Sequence, residues 1–398
     1  MAEKKSVKRA KRRKEDQENP ELDPLDAAIA ELEREFGTGS VQYGSGIFVD
    51  VGVVPTGMAN VDLALGVGGL PRGRIIEVYG NESSGKTTFS LKTIASCQRK
   101  GGIVAFIDAE HALDLTWAEH QGVDITKLLL SQPDSGDDAI KMIDIMISHS
   151  IIDLIVIDSV AALVPKEELE GEVEDYNIGA QARLMSKAMR RLAGKALKTN
   201  TAIVFINQLR DVIGGFTAGF KKPESTPGGR ALKFYSSIRI EIRRKGLIKG
   251  TGKHKERSIG AEASAKIVKS KVSPPFRSAT FSIYFGSKYQ DPDRIYGIDV
   301  TDTLVPAAKE LDIITIKGSN YYFGRKKIAN GKEAAYAKLR KDDDLRSAVT
   351  DAVYAAIKPS NEPPMKPSDE SKDIKDNVND DESDESDVIL DELIDTDE

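Results

Sequence analysis

From about Ile75 to Asn207, runs of consecutive apolar residues alternate with stretches in which apolar positions recur at helical spacing. The runs IIEVY (75–79), IVAFI (103–107), LIVI (154–157) and AIVFI (202–206) are short and almost unbroken, the pattern of strands buried on both faces. Thr87–Gln98, Asp137–His149 and Ala180–Leu197 carry the helical period. Strand and helix in alternation predict a parallel sheet with helices on both faces. Three more strands, IRIEIRR (238–244), SAKIVKSKV (264–272) and ATFSIYF (279–285), follow without helical patterns between them and are expected to extend the sheet antiparallel. Residues 290–357 predict a small α+β unit closing with a helix over Leu345–Ile357, after which Pro359, Pro363, Pro364 and Pro367 open a tail. Upstream, Leu25, Ala28, Ile29, Leu32 and Phe36 share one stripe of a helix over Asp23–Phe36 that Gly37 closes. That stripe either folds back on its own core or meets another subunit.

The chain has 398 residues, 40% of them apolar, and one cysteine. At roughly 150 residues per domain this length allows two or three domains with one substantial core. The lone Cys97 excludes an intramolecular disulfide framework and suits a reducing, cytoplasmic setting. No run of about 18 apolar residues occurs, so no transmembrane helix and no membrane partner are expected. The basic start MAEKKSVKRAKRRK lacks the apolar region of a secretory signal.

Charge changes the picture more than composition does. The net charge of −6 conceals +7 over residues 1–14 and −13 over residues 369–398, leaving the body balanced. Both ends lack apolar periodicity and are expected to be disordered. They serve solubility or regulation, and KRAKRRK also fits a nuclear address.

Candidate chemistry gathers at strand ends. GNESSGKT, Gly80–Thr87, fits G-x-x-x-x-G-K-[ST] with a buried strand before it and a helix after it. In such a loop the amides of Gly80, Asn81, Glu82, Ser83, Ser84 and Gly85 cradle phosphates. Lys86 reaches the β- and γ-phosphates, and the Thr87 hydroxyl binds Mg2+, which makes ATP with Mg2+ the expected ligand. Asp158 ends LIVID and can hold the same Mg2+ shell. IVAFIDAEH brings Asp108, Glu110 and His111 to that edge. Glu110 is the candidate for activating the attacking water, and His111 is either a ligand or a local hydrogen-bonding residue. AIVFINQ delivers Asn207 and Gln208, the latter either a sensor of the γ-phosphate or a plain strand-end polar residue.

GNESSGKTT, AFIDAEHALD, LIVIDSVAAL, FINQLR and PGGRALKFY together resemble the RecA family of bacterial recombinases, from about Leu22 to Leu339. The resemblance implies an α/β fold: a RecA-like P-loop ATPase core with a mostly parallel twisted sheet flanked by helices, an N-terminal polymerisation helix and a small C-terminal α+β domain. It divides the chain into a basic tail (1–21), polymerisation helix and linker (22–57), ATPase core (58–288), C-terminal domain (289–358) and acidic tail (359–398). The implied activity is DNA-dependent ATP hydrolysis by filaments on single-stranded DNA that pair it with homologous duplex DNA and exchange strands in repair. Stimulated self-cleavage of a repressor in the SOS response is implied as well.

Residue by residue, the resemblance makes Glu110 the catalytic carboxylate and Gln208 the γ-phosphate sensor. It adds Thr88 to the nucleotide loop, and Asp114 and Trp117 as holders of adenine, with Trp117 standing where the family usually has Tyr. Stacking survives that change, whereas a phenol hydrogen bond does not. Lys269 and Lys271 correspond to lysines that cross to the neighbouring subunit's γ-phosphate. Segments 170–180 and 210–229 resemble two DNA-binding loops, which brings in Arg183, Gly214, Gly215, Phe216, Phe220, Lys221, Lys222, Gly228, Gly229 and Arg230 as DNA-binding candidates. The second loop is a few residues longer than usual, which leaves Phe216 and Phe220 as alternatives for its base-contacting aromatic. Ile29, Leu32, Phe36 and Phe234 become subunit-interface residues, and the acidic tail resembles an inhibitory carboxyl terminus. A hexameric helicase motor and a filament using nucleotide only as a switch are the competing readings. Translocation with unwinding marks the first, and DNA binding without turnover marks the second.

Overall fold

The computed structural model describes residues 24–38, 40–41, 52–171, 179–211, 224–250, 255–286 and 296–357. Both charged termini lie outside the described residues. Among the described residues, nine strands form one sheet: β1 (Ile75–Gly80), β2 (Val104–Asp108), β3 (Leu128–Ser131), β4 (Leu154–Asp158), β5 (Ala202–Gln208), β6 (Ile238–Lys249), β7 (Ser258–Ser270), β8 (Ser278–Tyr284) and β9 (Gly297–Ile298). Their order is β9-β8-β7-β6-β1-β5-β4-β2-β3. The strands from β6 to β3 run parallel, and β7, β8 and β9 continue antiparallel from β6. The fold is thus α/β and RecA-like.

One pairing departs from expectation. IRIEIRR lies parallel to the central strand β1, and only the strands after it are paired antiparallel. The chain re-enters the sheet from the end of β5 by way of a short helix, Ala231–Tyr235, so it arrives in the same direction as β1. Edge strand β3 carries no buried run, because Leu129 and Leu130 are exposed, and its three leucines are too few to declare a strand.

Strand alternation builds two cores. On one side Ile76, Val78, Phe106, Val156 and Val204 pack on Phe89, Leu91 and Ile94 of the helix Lys86–Arg99. On the other, Ile75, Ile107, Ile155, Ile203 and Phe205 meet the helices Gly136–Ser148 and Ala180–Thr199. Opposite faces of the same strands are therefore both covered, as unbroken apolar runs require.

Besides the single turn Lys166–Leu169, the α-helices of the described residues are, in chain order, α1 (Pro24–Phe36), α2 (Ala59–Leu65), α3 (Lys86–Arg99), α4 (Leu115–His120), α5 (Gly136–Ser148), α6 (Ala180–Thr199), α7 (Ala231–Tyr235), α8 (Val300–Glu310), α9 (Lys332–Lys341) and α10 (Asp343–Ile357). Helices α8 to α10 and a three-stranded antiparallel sheet over residues 314–330 share a third core with Ala59 of α2. Arg340 ties that region together by reaching Asp299 (2.6 Å) and Asp302 (2.8 Å) at the start of α8. Asp62 of α2 is fully buried and accepts hydrogen bonds from Thr56 N (2.9 Å) and the Tyr354 hydroxyl of α10 (2.5 Å). Burial pushes its carboxyl up to about 7 against those bonds. Helix α1 exposes Leu25, Leu32 and Phe36, with Ile29 half-buried.

Candidate active site

Strand β1 delivers its chain to the carboxyl edge of the sheet at Gly80, where a Cβ would stand 2.0 Å from the Ile242 carbonyl oxygen. The loop then turns through Gly85 at φ +98° into α3, whose first amides face the loop as phosphate donors do. Lys86 is buried and donates to the Asn81 carbonyl (2.8 Å), arching over the loop. Burial draws its ammonium below the usual lysine range, while Asp158, Glu110 and Glu82 hold it up. The Ser84 hydroxyl is buried with no hydrogen-bond partner, an orphan that a phosphate oxygen would satisfy.

Thr87 Oγ1 donates to Asp158 Oδ2 at 2.6 Å. Burial pushes Asp158 up to about 6; Thr87 and Lys86 pull it down, and the charges of Glu110 and Asp108 push it further up. An excess of carboxylate over cation is what a divalent ion would correct. One hydroxyl and one carboxylate suit Mg2+, which keeps waters and phosphate oxygens for its other positions. Among the described residues no group of three His, Cys, Asp or Glu side chains stands ready to hold a metal alone.

Glu110 is exposed at the same edge. Its Oε1 accepts from the Ser159 hydroxyl and from Gln208 Nε2 (3.2 Å). Gln208 pairs in register with Gly80, which sets the amide beside the phosphate loop. Asp108 has a different task. It is buried and accepts from Ala112 N, Leu113 N (both 3.2 Å) and Gln132 Nε2 (2.9 Å), shaping the loop that carries Glu110. The amides of Ala109 (2.8 Å) and Glu110 (3.2 Å) hang that loop from the Asp158 carbonyl. His111 is exposed at φ +54°. Ser159 carried no sequence signal beyond its place after Asp158.

An open cleft of about 310 Å³ continues from the loop, lined by Ser83 to Thr88 and Trp117. The Trp117 indole N–H donates to Thr88 Oγ1 (3.2 Å), fixing the ring against α3. Arg244, Ala261, Ile283 and Phe285 complete the wall from the antiparallel side of the sheet. No motif marks these four, and only strand pairing brings them to the loop. Asp114 is not part of this lining. Its carboxylate caps α4 by accepting from Trp117 N (3.0 Å).

Lys269 and Lys271 are not brought to this edge. Lys269 pairs with Arg239, which pairs with Glu77, and Lys271 N donates to the Ser237 carbonyl (2.9 Å). They sit three to five residues below Gly80 along the strands, roughly 10–16 Å away. Lys269 Nζ donates to the carbonyls of Lys233 (2.7 Å) and Phe234 (3.0 Å) at the end of α7. Burial and the neighbouring charges of Lys271 and Arg239 lower its affinity for a proton. Lys271 lines a second cleft of about 320 Å³ with Arg74 and Phe234, the latter 69% exposed.

Of the DNA-binding candidates, Gly214, Gly215, Phe216, Phe220, Lys221 and Lys222 lie outside the described residues. Arg183 is exposed and paired with Glu167 (2.8 Å). Gly228 and Gly229 have left-handed φ, and Cβ atoms there would meet Val160 and Ala182 at 2.9 Å, so their visible role is close packing. That packing brings the stem of the second segment against the start of α6, which follows the first. Arg230 is exposed beside them.

A phosphate loop, a magnesium-type Thr–Asp pair and a glutamate, all at the carboxyl edge of a mostly parallel sheet, define a nucleotide-binding α/β protein. The sequence model of the RecA N-terminal domain matches residues 23–290, and that of the RecA C-terminal domain matches 303–358. The chain is 46% identical to the RecA protein of Rubrobacter xylanophilus over 331 residues, 83% of this chain and 92% of that protein. It is 45% identical to that of Wolinella succinogenes over 339 residues (85% and 93%) and to that of Porphyromonas gingivalis over 343 residues (86% and 96%). The chain belongs to the RecA family, a family of ATP-using recombination and repair proteins. Among the described residues no helix is long and apolar enough to cross a membrane.

Proposed function

We propose that this protein is a DNA-dependent ATPase that assembles into filaments on single-stranded DNA and catalyses homologous pairing and strand exchange. The observation that carries the reading is the hydrogen bond from Gln208 to Glu110, made at the base of the second loop segment. Water aligned by Glu110 attacks the γ-phosphorus in line, the bond to the β-phosphate oxygen breaks, and Glu110 takes the proton. Loop amides and Lys86 hold the phosphates. Mg2+ held by Thr87 and Asp158 supplies charge neutralisation. Gln208 gives its amide to Glu110 when no γ-phosphate is present and to a phosphate oxygen when one is. That exchange moves the strand end from which segment 212–223 leaves, the one the resemblance assigns to DNA. Trp117 stacks on adenine, and Asp114, whose Oδ1 caps α4, offers Oδ2 to the amino group.

Assembly is supported by two unlike apolar surfaces. Helix α1 exposes Leu32 and Phe36, and the β3 edge of the sheet with neighbouring α5 exposes Leu129, Leu130 and Ile145. Unlike surfaces that fit one another make a head-to-tail contact, which propagates as a helix when it does not close. Phe234 joins the same interface, and Lys269 and Lys271 reach the neighbour's nucleotide across it. Stimulated self-cleavage of a repressor and a cytoplasmic location follow from the family.

The test is ATP turnover with and without single-stranded DNA, with electron microscopy of the same samples. Strong stimulation together with filaments is expected. DNA-independent turnover without filaments would overturn the proposal.

A further inference from the structure

The strand leading to the phosphate loop contains one charged residue, Glu77, and its side chain is wholly buried. A carboxylate in that position needs partners on all sides, and each partner it has leads to a functional edge. Glu77 Oε1 accepts from Asn207 Nδ2 at 3.1 Å, and Oε2 accepts from Arg239 Nε at 2.5 Å. On one side, the same Asn207 amide donates to the Pro227 carbonyl (3.1 Å), and Asn207 Oδ1 accepts from Gln208 N (2.9 Å). Asn207 therefore clamps the returning stem of the second segment to the residue whose side chain touches Glu110. On the other side, Arg239 lies over the Tyr79 ring (4.5 Å) and pairs in register with Lys269. Lys269 in turn holds the carbonyls of Lys233 and Phe234.

One continuous chain of contacts thus runs Glu110, Gln208, Asn207, Glu77, Arg239, Lys269, Phe234. It crosses the sheet from the edge that handles nucleotide to the edge that carries the interface lysines. We propose that Glu77 is a positioning residue that couples nucleotide state at one subunit's loop to the setting of Lys269 and Phe234 toward the next subunit. The inference rests on the proposed function and names the route by which that site is regulated. An ion pair is suited to this task because it has two anchored ends. A shift of Asn207 changes the carboxylate that Arg239 holds, a directional link that uniformly apolar packing does not provide.

The experiment compares wild-type protein, Glu77→Gln and the double variant Glu77→Met/Arg239→Met, which removes both charges together and keeps the volume. Thermal melting, fluorescent-nucleotide affinity of dispersed subunits, and the ATP dependence of DNA-stimulated turnover are measured for each. Wild-type turnover is expected to rise more steeply than a hyperbola. Glu77→Gln should keep nucleotide affinity within about twofold, lose the steepness and require about tenfold more ATP for half-maximal stimulated turnover. The double variant should melt like wild type and remain hyperbolic. A double variant that regains steepness together with stability would show a purely structural role and overturn the proposal, as would a cooperative Glu77→Gln. Wild-type protein without DNA-stimulated turnover would overturn the functional reading itself, a result distinct from either.

Discussion

At the carboxyl ends of the parallel strands Asp158, Glu110 and Glu82 act on one lysine, Lys86, and burial leaves Asp158 pushed up to about 6. Toward the amino ends the cleft beside Phe234 has Arg74 and Lys271 in its lining and no carboxylate, with Lys269 close by. One end gathers carboxylates around Lys86, and the lining of the cleft at the other has cations and no carboxylate. Under the proposed function Lys269 and Lys271 serve another copy's phosphate site, because within their own chain they lie roughly 10–16 Å down the strands from the loop. The head-to-tail assembly of the proposed function draws on this charge difference as well as on the exposed faces of α1 and β3.

The comparison breaks first at the carboxyl edge. Lys86→Ala should abolish nucleotide turnover, a fall of more than about a hundredfold, because Lys86 is the cation that arches over the loop and bonds to it at Asn81. Turnover measured at saturating DNA checks this, and retained turnover would remove the loop from the chemistry. Glu110→Gln comes next. It keeps the side chain's shape but cannot take a proton, so kcat should fall by roughly 10²-fold or more with nucleotide affinity kept. Parallel loss of affinity would mean that Glu110 positions phosphate and does not activate water.

Mixing subunits sharpens the contrast between the two edges. Glu110→Gln and Lys269→Ala/Lys271→Ala proteins should each be inactive alone, and their mixture should recover part of the turnover. Recovery requires that one subunit's carboxyl edge use another's lysines, and a mixture as inactive as its parts would place all the chemistry within single chains.

A smaller effect is expected from pH. Asp158 at about 6 and Asp62 at about 7 both lie above the ordinary 3.8, so the folded state binds protons that the unfolded chain has released. Their contribution to stability is fully present below pH 3.8 and is lost as pH rises through 6 to 7. Nucleotide-free protein should therefore resist urea better at pH 5 than at pH 7.5, with Asp158 contributing about 1–2 kcal/mol of that difference. Asp158→Asn should flatten that dependence, and an unchanged slope would show that Asp158 titrates normally. The mildest expectation concerns the tail. Deleting residues 369–398, net −13, should speed duplex-DNA binding a few-fold and lower its Mg2+ dependence, as stopped-flow binding would show. Equal rates would separate the tail from the basic surfaces.

Much of the carboxyl edge is legible along the chain. The loop motif is contiguous, its strand and helix flank it directly, and Asp158 and Glu110 each sit within a residue or two of a buried run. Local order suffices for such features because a parallel strand always presents its last residue at the same edge. The amino edge is not legible in this way. Lys269 and Lys271 look like an ordinary strand margin until β7 is paired with β6. Arg244, Ile283 and Phe285 reach the nucleotide cleft only because the antiparallel strands fold beside α3. Asp114 shows the converse: the resemblance assigns it to adenine, and only the structure shows that its Oδ1 caps α4.

The sequence by itself determined the alternation of buried strands and covering helices, the phosphate loop, and the amphipathic stripe of α1. These depend on periodicity and on neighbours a few residues apart. The tertiary structure decided that IRIEIRR runs parallel to β1, that Gln208 meets Glu110, and that the buried charge of Glu77 joins Asn207 to Arg239. Those contacts span 98, 130 and 162 positions of the chain, and no local pattern encodes a partner at such separation. Burial of both sheet faces fixes the register, and the register chooses the partners.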